Sequence, residues 1–292
     1  TGGAGFIGSN IIKYLVKHNA GEIRIVDNLS NGYLENIEEF LSLPNVVFYE
    51  ESLVDMMVCE KVVKDVDFVI HQAALGSVPR SIKDPITSND VNVGGFLNML
   101  VASRDNKVKR FIYAASSSTY GDSESLPKVE EVIGKPLSPY AITKYVNELY
   151  ADIFSKNYGL ETIGLRYFNV FGKKQDPNGA YAAVIPKFVS QLMKLESPVI
   201  NGDGNYSRDF TYIDDIVNGV IEIIKSQKSS DIYNIGNNTP VETNDLVRSL
   251  ESAIGKKAIT ENEPAVVGDV LFTCADTSLL QKDFGVVPSI AI

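Results

Sequence analysis

The feature that most constrains the fold is the regular alternation of short apolar runs with amphipathic helical patterns over the first 168 residues. Such alternation is typical of βαβ units, which build a parallel sheet covered by helices. We predict strands at 22–26, 46–49, 68–70, 110–114 and 162–165, and helices at 6–19, 34–41, 56–64, 88–106 and 139–158. The predicted fold class is therefore α/β, with a doubly wound parallel sheet.

Beyond residue 168 the pattern breaks into connections rich in Gly, Pro and Asn, at 172–181, 201–205 and 236–240. The segments 212–226 and 231–234 are typical of a helix and a strand that return to the first sheet. We therefore predict one domain formed by 1–168 and 211–238. A smaller, loop-rich C-terminal region would comprise 169–210 and 239–292.

The chain opens on a glycine-rich turn, Thr-Gly-Gly-Ala-Gly-Phe-Ile-Gly, with Gly2, Gly5 and Gly8 spaced three apart. Glycine lets the backbone turn tightly and approach a pyrophosphate, which then lies on the helix N-terminus. With Phe6 and Ile7, these glycines form the predicted dinucleotide site of a Rossmann-type fold. Because such a turn follows a buried strand, we expect a fragment that lacks its first strand and retains the dinucleotide poorly.

The strand predicted at 22–26 leads directly to Asp27. A carboxylate at this position accepts hydrogen bonds from a ribose 2′-hydroxyl and repels a 2′-phosphate. Asn28 and the three residues after it offer no arginine for such a phosphate. The pattern therefore favours NAD over NADP, with a solvated turn residue as the alternative role for Asp27.

A second constellation begins at Ser138 and Pro139, which are typical of a helix start. Tyr140 and Lys144 follow four residues apart and share one face of that helix. A nearby ammonium, together with a positive nicotinamide ring, favours the phenolate of a tyrosine, whose unperturbed pKa is about 10. Tyr140 is therefore a candidate general base, although an isolated Tyr-x-x-x-Lys pair is more often surface decoration.

Hydroxyl residues at 116–119 follow the strand predicted at 110–114. Open α/β sheets bind ligands at the carboxyl ends of their strands. Ser116 could therefore hydrogen-bond the oxygen whose proton Tyr140 removes, with turn formation as the alternative role. The chain has only two histidines and two cysteines, without metal-binding spacing, so we predict no metal site.

The family that this sequence resembles is the extended short-chain dehydrogenase/reductases, and within it the NAD-dependent epimerases and dehydratases. The resemblance is carried by the glycine turn, Asp27, the stretch 71–74, Asn92, Ser116, Tyr140, Lys144 and the stretch 166–172. It implies bound NAD, with Ala73 and Asn92 as further contacts. It also implies that Tyr140 removes the C4-hydroxyl proton of a nucleotide sugar, that Ser116 holds that oxygen, and that Lys144 bonds the nicotinamide ribose.

Two positions separate reaction types within the family. Dehydratases carry an Asp-Glu pair, and sugar decarboxylases a glutamate, where this chain has Ser117 and Ser118. Without an acid to eliminate water, the resemblance implies oxidation at C4 followed by reduction on the other face of the sugar. The expected enzyme is therefore an NAD-dependent nucleotide-sugar 4-epimerase.

The stretches 75–81 and 175–183 resemble bacterial epimerases of UDP-N-acetylglucosamine or its uronate, which supply surface polysaccharides. The implied substrate contacts are Gly76, Ser77, Ser116, Ser117, Asn169, Gln175, Ala183, Arg208 and Thr273. Gly76 and Ala183 leave room for an N-acetyl group, and Thr273 stands where a bulky tyrosine would exclude it. Alternatives remain open: a UDP-glucose/UDP-galactose 4-epimerase, or a non-catalytic NAD-binding module.

Three positions depart from the family pattern. Arg208 matches the family's diphosphate clamp. Val266 stands where the family usually carries a second arginine, and Leu271 stands where an arginine usually follows the Asp-Val, which leaves no cation there. Ser52 replaces an acid that contacts adenine. Charge-assisted hydrogen bonds are each worth about 1.5–3 kcal/mol, so we expect weakened diphosphate binding.

Net charge, hydropathy and cysteine content limit which partners and which cellular compartment we predict. The net charge of −10 argues against nucleic acid as a partner. No apolar run reaches the roughly 18 residues that span a bilayer, and cysteines without pairing favour the cytoplasm. The resemblance implies a homodimer through the Tyr140 helix and its neighbour 88–106. Val146, Leu149 and Ile153 are apolar positions on the Tyr140 helix, and core packing explains them equally well.

Overall fold

The computed structural model describes residues 1–178, 183–228, 230–264 and 270–292. The helices are α1 (Phe6–Lys17), α2 (Met56–Val63), α3 (Val78–Lys83), α4 (Pro85–Asn89), α5 (Gly95–Asp105), α6 (Pro139–Tyr158), α7 (Val184–Lys194), α8 (Ile213–Lys225), α9 (Thr243–Ile254) and α10 (Ser278–Phe284). The strands are β1 (Ile23–Val26), β2 (Val46–Tyr49), β3 (Phe68–His71), β4 (Arg110–Ser116), β5 (Glu161–Tyr167), β6 (Val170–Phe171), β7 (Val199–Asn201), β8 (Ser207–Asp209), β9 (Thr211–Tyr212), β10 (Asp231–Ile235), β11 (Pro240–Glu242) and β12 (Glu261–Glu263).

The principal strands pair in parallel, in two groups. One group has the order β10-β5-β4-β3, and β1 with β2 forms the other. The central pair, β4 and β5, runs in register from Arg110 opposite Glu161 to Ser116 opposite Tyr167. Since parallel strands need crossover connections and cover on both faces, this arrangement confirms the predicted α/β class.

Helices cover both faces of the sheet because alternate side chains of a strand point to opposite sides. Phe111 of β4 belongs to a core with Phe96 of α5, whereas its neighbour Ile112 belongs to a core with Ile213 of α8. The helices α2, α5 and α6 pack on the first side, and α1, α8 and α10 on the second. This double cover places the carboxyl ends of β3, β4 and β5 at one edge, where the predicted site residues follow.

The C-terminal part contains more regular structure than a loop-rich region. Helices α7 and α9 pack together around an apolar cluster that includes Phe188, Leu192 and Leu246. Strand pairs β8–β11 and β7–β12 lie beside them. The chain does return to the principal sheet, because β10 pairs with β5 and α8 packs against α1. The domain boundaries stay a prediction.

Two predicted helices differ in the structure, while the other predicted elements lie within two residues of the observed ones. The helix predicted at 34–41 is wrong: two short 3-10 turns, Leu34–Asn36 and Glu38–Phe40, occupy this segment. Hydrogen bonds from the Asn36 side chain and the Tyr33 amide to the Ala4 carbonyl hold it against the glycine turn.

The helix predicted at 88–106 is interrupted by a π-helical turn, Asp90–Gly94. Two consecutive glycines, Gly94 and Gly95, lower the helix propensity there. The Asn92 side chain also pulls this turn toward the loop after β3 by hydrogen bonds to the Leu75 backbone.

Two further features bear on the predicted partners. No helix within the described ranges is long and apolar enough to cross a membrane. Among those same residues, no group of three or more His, Cys, Asp or Glu could hold a metal ion.

Candidate active site

The glycine turn and the start of α1 form the floor of a groove. Gly2 has a φ of +67°, and a Cβ there would lie 2.6 Å from the Ala73 nitrogen. A Cβ on Gly8 would overlap the Gly2 carbonyl oxygen. Gly5 is the N-cap of α1 and supplies no side-chain cap. The helix dipole and the first N–H groups of Phe6 and Ile7 therefore lie at an anion-binding position.

Asp27 links this turn to the next loop. Its Oδ2 accepts a hydrogen bond from the Ala4 nitrogen at 3.0 Å, and its Oδ1 accepts one from the Leu29 nitrogen at 2.9 Å. Asn28 caps the same loop by accepting from the Ser30 nitrogen at 3.1 Å. Asp27 is thus a half-buried residue that is held by backbone hydrogen bonds, and it lines the groove.

The groove has a volume of about 90 Å³, and the residues that line it have the chemistry to bind parts of a dinucleotide. The start of α1 suits a pyrophosphate, Asp27 suits a ribose hydroxyl, and Leu53 and Val54 provide apolar walls beside Ser52. The buried Nε2 of Gln72, which also lines the groove, has no hydrogen-bond partner among the described residues. An orphaned donor at this position is what a phosphate or ribose oxygen would satisfy.

The carboxyl end of β4 and the first turns of α6 bring the predicted catalytic residues together. Ser138 is the N-cap of α6, since its Oγ accepts from the Ala141 nitrogen at 3.1 Å. Lys144 Nζ donates to the Ala114 carbonyl oxygen in β4 at 2.7 Å. The Tyr140 hydroxyl is hydrogen-bonded to Ser116, the last residue of β4. One strand end and one helix face therefore form a single cluster of three polar side chains.

Burial dominates the electrostatics of this cluster. It raises the pKa of Tyr140 above its ordinary value of 10, and the hydrogen bond with Ser116 opposes this rise. The predicted stabilisation of the Tyr140 phenolate includes the positive charge of bound nicotinamide, and it stays a prediction. Burial lowers the pKa of Lys144 to about 8, while the nearby Glu148 carboxylate raises it. The Lys144 ammonium thus loses its proton more readily than an ordinary lysine. Tyr140 needs further positive charge nearby to ionise near neutral pH.

Two serines support the cluster in a way that sequence reasoning missed. Ser118 Oγ donates to Ser116 Oγ at 2.8 Å. Ser81 Oγ accepts from the Tyr140 backbone nitrogen at 3.0 Å and so fixes the first turn of α6 against α3. The run of hydroxyl residues at 116–119 indicated that Ser118 could lie at the site, whereas no local sequence pattern indicates a supporting role for Ser81.

Asn92 is a predicted NAD contact, and its side-chain amide is hydrogen-bonded to other residues of the protein. Its Oδ1 accepts from the Leu75 nitrogen at 2.7 Å, and its Nδ2 donates to the Leu75 carbonyl and to Thr143 Oγ1, both at 3.2 Å. Thr143 Oγ1 in turn donates to the Tyr140 carbonyl. Asn92 therefore joins the loop after β3 to the helix that bears Tyr140.

The predicted substrate contacts near the sheet edge differ in their surroundings. Gly76 is exposed, and a Cβ there would meet nothing within 4 Å. Ser77 caps α3 by accepting from the Arg80 nitrogen. Ser117 is half-buried and Asn169 is exposed, with a φ of +28°. Gln175 donates to the Val170 carbonyl at 3.1 Å, and its buried Oε1 lacks a partner among the described residues.

The remaining predicted contacts lie in the C-terminal part. Arg208 in β8 donates to the Ser207 and Leu271 carbonyls. Thr273 adjoins the same strand, because its nitrogen donates to Ser207 and its Oγ1 accepts from the Asp209 nitrogen. The structure thus groups Arg208, Leu271 and Thr273. Ala183 is the exposed N-cap of α7. Val266 lies outside the described residues.

A doubly wound α/β sheet, a glycine turn beside Asp27, and a Ser–Tyr–Lys cluster at a strand end together define a dinucleotide-dependent enzyme class. The chain belongs to the NAD dependent epimerase/dehydratase family, which it matches over residues 1–236. Family membership confirms the predicted resemblance, the NAD cofactor and the epimerase class of enzyme. The individual roles of Ser116, Tyr140 and Lys144 stay predictions.

Three known proteins that are similar to this chain are named as UDP-sugar 4-epimerases. A putative UDP-glucose 4-epimerase of Methanocaldococcus jannaschii is 38% identical over 257 residues, 87% of this chain and 81% of the relative. The UDP-N-acetylglucosamine 4-epimerase of Methanobrevibacter ruminantium M1, solved with UDP-N-acetylmuramic acid, superposes with a TM-score of 0.94 at 38% identity, covering 99% and 91% of the chains. The UDP-glucuronic acid 4-epimerase of Bacillus cereus, solved with UDP-glucuronic acid and NAD, gives 0.93 at 29% identity and covers 99% and 93%.

Proposed function

We propose that this chain is an NAD-dependent 4-epimerase of a UDP-N-acetylhexosamine or its uronate. The observation that carries the proposal is the cluster at the end of β4, where Tyr140 meets Ser116 without a carboxylate at Ser117 or Ser118. A dehydratase needs an acid there to eliminate water. Structural neighbours that are UDP-sugar 4-epimerases support the same reaction class.

Each residue of the cluster has one task in this proposal. Ser116 holds the C4 oxygen, and Tyr140 removes its proton and later returns it. Lys144 supplies positive charge on the same helix face and bonds the nicotinamide ribose. NAD, when bound, supplies the hydride acceptor and then the hydride donor at C4. Since Tyr140 resists ionisation in the chain alone, the positive charge of an oxidised nicotinamide would help to make it a base.

Three features support the proposed substrate. Gly76 borders open space beside the sheet edge, which leaves room for an N-acetyl group. Thr273 is a small residue next to Arg208, the proposed diphosphate ligand. The guanidinium of an arginine matches phosphate oxygens with two parallel donors. Gln175 offers a buried oxygen that has no partner among the described residues and is free in that part of the chain to accept from a sugar hydroxyl.

The decisive experiment incubates the full-length protein with UDP-N-acetylglucosamine, its uronate and UDP-glucose, and follows the anomeric proton by NMR. We expect C4 inversion of an N-acetylated substrate. Inversion of UDP-glucose alone would favour the second candidate, a UDP-glucose/UDP-galactose 4-epimerase, which the name of the M. jannaschii relative supports. Inversion of none of the three sugars would refute the epimerase assignment.

A Tyr140→Phe variant tests the alternative of a non-catalytic NAD-binding module. General acid–base catalysis contributes about 10²–10⁴-fold, so turnover should fall by that factor while the circular dichroism spectrum stays unchanged. Equal turnover in both proteins would show that Tyr140 is not the base. Absence of turnover in both would favour the module.

The proposed setting is a homodimer in the cytoplasm, in polysaccharide biosynthesis. Ile142, Leu149 and Ile153 form a stripe on α6 that is about half exposed, at 52%, 50% and 47%. Such positions on one helix face favour a second helix as partner. Leu149 and Ile153 are thus not buried in the core, whereas Val146, the third predicted position, is half-buried. Light scattering that gives a monomer at micromolar concentration would contradict the dimer.

A further inference from the structure

One wall of the dinucleotide groove is the loop that follows Asp27. Its residues 30–32 line the groove, and residues 72–75 line the opposite wall. Asn31 spans the opening, because its Nδ2 donates to the Ala74 carbonyl oxygen at 3.3 Å. The groove measures about 90 Å³, whereas sites that hold small molecules and cofactors measure roughly 300–1,000 Å³. The loop must therefore move outward before a dinucleotide can enter or leave.

The chain directly after this loop is held against the glycine turn. The Tyr33 nitrogen donates to the Ala4 carbonyl oxygen at 3.0 Å, and Asn36 Nδ2 donates to the same oxygen at 2.8 Å. In the two 3-10 turns that follow, the side chains of Ile37 and Phe40 are buried. Because this part of the chain is fixed, any outward motion of the loop must displace Tyr33.

A segment distant in the sequence binds the same part of the chain from outside. The Tyr33 hydroxyl donates to Asp176 Oδ2 at 2.6 Å. This hydrogen bond and the charge of Asp176 raise the pKa of Tyr33, so the hydroxyl stays a donor at neutral pH. Lys174 Nζ donates to the Asn36 carbonyl oxygen at 2.5 Å and lies 3.6 Å from the Glu39 carboxylate. We call these contacts of Lys174 and Asp176 the clasp.

The segment that supplies the clasp is anchored on α1. The Lys173 carbonyl oxygen accepts from Asn10 Nδ2 at 3.0 Å, and the same amide donates to the Phe6 carbonyl at 2.9 Å. The Lys174 ammonium also lies 5.5 Å from the centre of the buried Phe40 ring. The clasp therefore joins the helix at the floor of the groove to the wall that must move.

We propose that the clasp controls how fast NAD enters and leaves, and that Tyr33, Lys174 and Asp176 are the residues that set this rate. The inference rests on the NAD cofactor of the family and not on which sugar is the substrate. Because the clasp is formed while the groove is narrow, it must open for entry as well as for release. An epimerase returns to the sugar the hydride that it removed, so retention of the cofactor between the two transfers is part of the reaction.

Stopped-flow fluorescence with NADH and the full-length protein tests this proposal. Tyr33→Phe removes one hydroxyl, Lys174→Met removes one ammonium, and the double variant removes both. We expect each single variant to speed both association and release about three- to tenfold, and the double variant to exceed either one. Since both rate constants rise together, the Kd of NADH should change less than about threefold. Damage to the binding site itself would speed release without speeding association.

The matched control is the double variant Tyr158→Phe, Lys156→Met. Tyr158 is hydrogen-bonded to Arg104, and Lys156 is paired with Asp152. Both side chains are more than half exposed and lie at the end of α6 that is far from Tyr140. This control removes the same two functional groups away from the groove, so its rate constants should stay within about twofold of those of the wild type.

Amide hydrogen exchange without cofactor gives a second readout that does not depend on turnover. In the clasp double variant, peptides covering 33–40 should exchange at least about threefold faster, while the melting temperature stays within about 2–4 °C. Faster association, faster release and faster exchange together support the proposal. The proposal is overturned if both rate constants stay within about twofold of the control. Release that accelerates without association, or unchanged exchange at 33–40, overturns it as well.

Discussion

The buried ion pair between Glu148 and Arg166 offers a quantitative test of how the site is supported. Arg166 Nε donates to Glu148 Oε1 at 3.0 Å and Arg166 Nη2 to Oε2 at 2.7 Å, while the two side chains are 3% and 9% exposed. A Glu148→Gln variant keeps the shape but leaves Arg166 uncompensated. Breaking one partner of a buried pair costs about 3–5 kcal/mol, and two charge-assisted bonds at about 1.5–3 kcal/mol each give a similar sum.

Urea unfolding of Glu148→Gln, Arg166→Met and the double variant measures this cost. Because the double variant leaves no unpaired charge, its loss of unfolding free energy should be at least about 2 kcal/mol smaller than the sum of the single losses. The matched control is Asp152→Asn, which breaks the exposed pair with Lys156 on the same helix and should cost less than about 0.5 kcal/mol. Additive losses in the double variant, or a Glu148→Gln cost as small as the control, would refute the reasoning.

The same variant has a second, independent readout. Glu148 raises the pKa of Lys144, which burial otherwise lowers to about 8. Glu148→Gln should therefore lower the Lys144 pKa further and move the alkaline limb of the kcat/KM profile to lower pH. An unchanged limb in a folded variant would show that Glu148 acts through packing alone.

Four further outcomes follow from the site. Asp27→Asn should weaken NAD binding about tenfold or more and reduce discrimination against NADP, as measured by calorimetry with both cofactors. The titration of the Tyr140 phenol is measured as the difference in ultraviolet absorbance between wild type and Tyr140→Phe. We expect this phenol to titrate above pH 10 without NAD and at lower pH with NAD. Equal titration midpoints with and without NAD would contradict the electrostatic role of the cofactor. Lys144 has a pKa of about 8 when folded against 10.5 ordinarily. The unfolded state therefore takes up the lysine proton more readily than the folded state, and the free energy of unfolding decreases as pH falls from 10.5 to 8. Lys144→Met should remove about 3 kcal/mol of that decrease. Ser118→Ala removes the donor to Ser116 and should lower kcat up to about tenfold, with no change in melting temperature beyond 2–4 °C.

Local pattern was sufficient for the elements that carry the site. The Ser138 cap and the period of the following residues place α6 at Pro139–Tyr158, as predicted. The four-residue spacing of Tyr140 and Lys144 then puts both on one face. The strand β4 runs two residues further than predicted, through Ser116, because it pairs with β5 up to Tyr167. The hydrophobic periodicity of one strand does not reveal how far it pairs with another strand.

What the sequence could not supply was set by contacts distant along the chain. The π-helical turn at Asp90–Gly94 depends on Asn92 meeting Leu75, seventeen positions away. Ser81 supports Tyr140 across fifty-nine positions. The raised pKa of Tyr140 is likewise a result of burial, which spacing does not reveal. The sequence was thus sufficient to predict candidate reacting groups, whereas the residues that support them required the tertiary structure.

The amide of Asn92 has a consequence for how variants of this enzyme should behave. It holds the backbone of Leu75, next to Gly76, and through Thr143 it also holds the carbonyl of Tyr140. The loop proposed to face the sugar and the helix turn that bears Tyr140, the proposed base, are therefore held by the same side chain. Substitutions in that loop will not tune sugar preference in isolation, because each shift of the loop reaches the base as well. Specificity and turnover in this enzyme should change together.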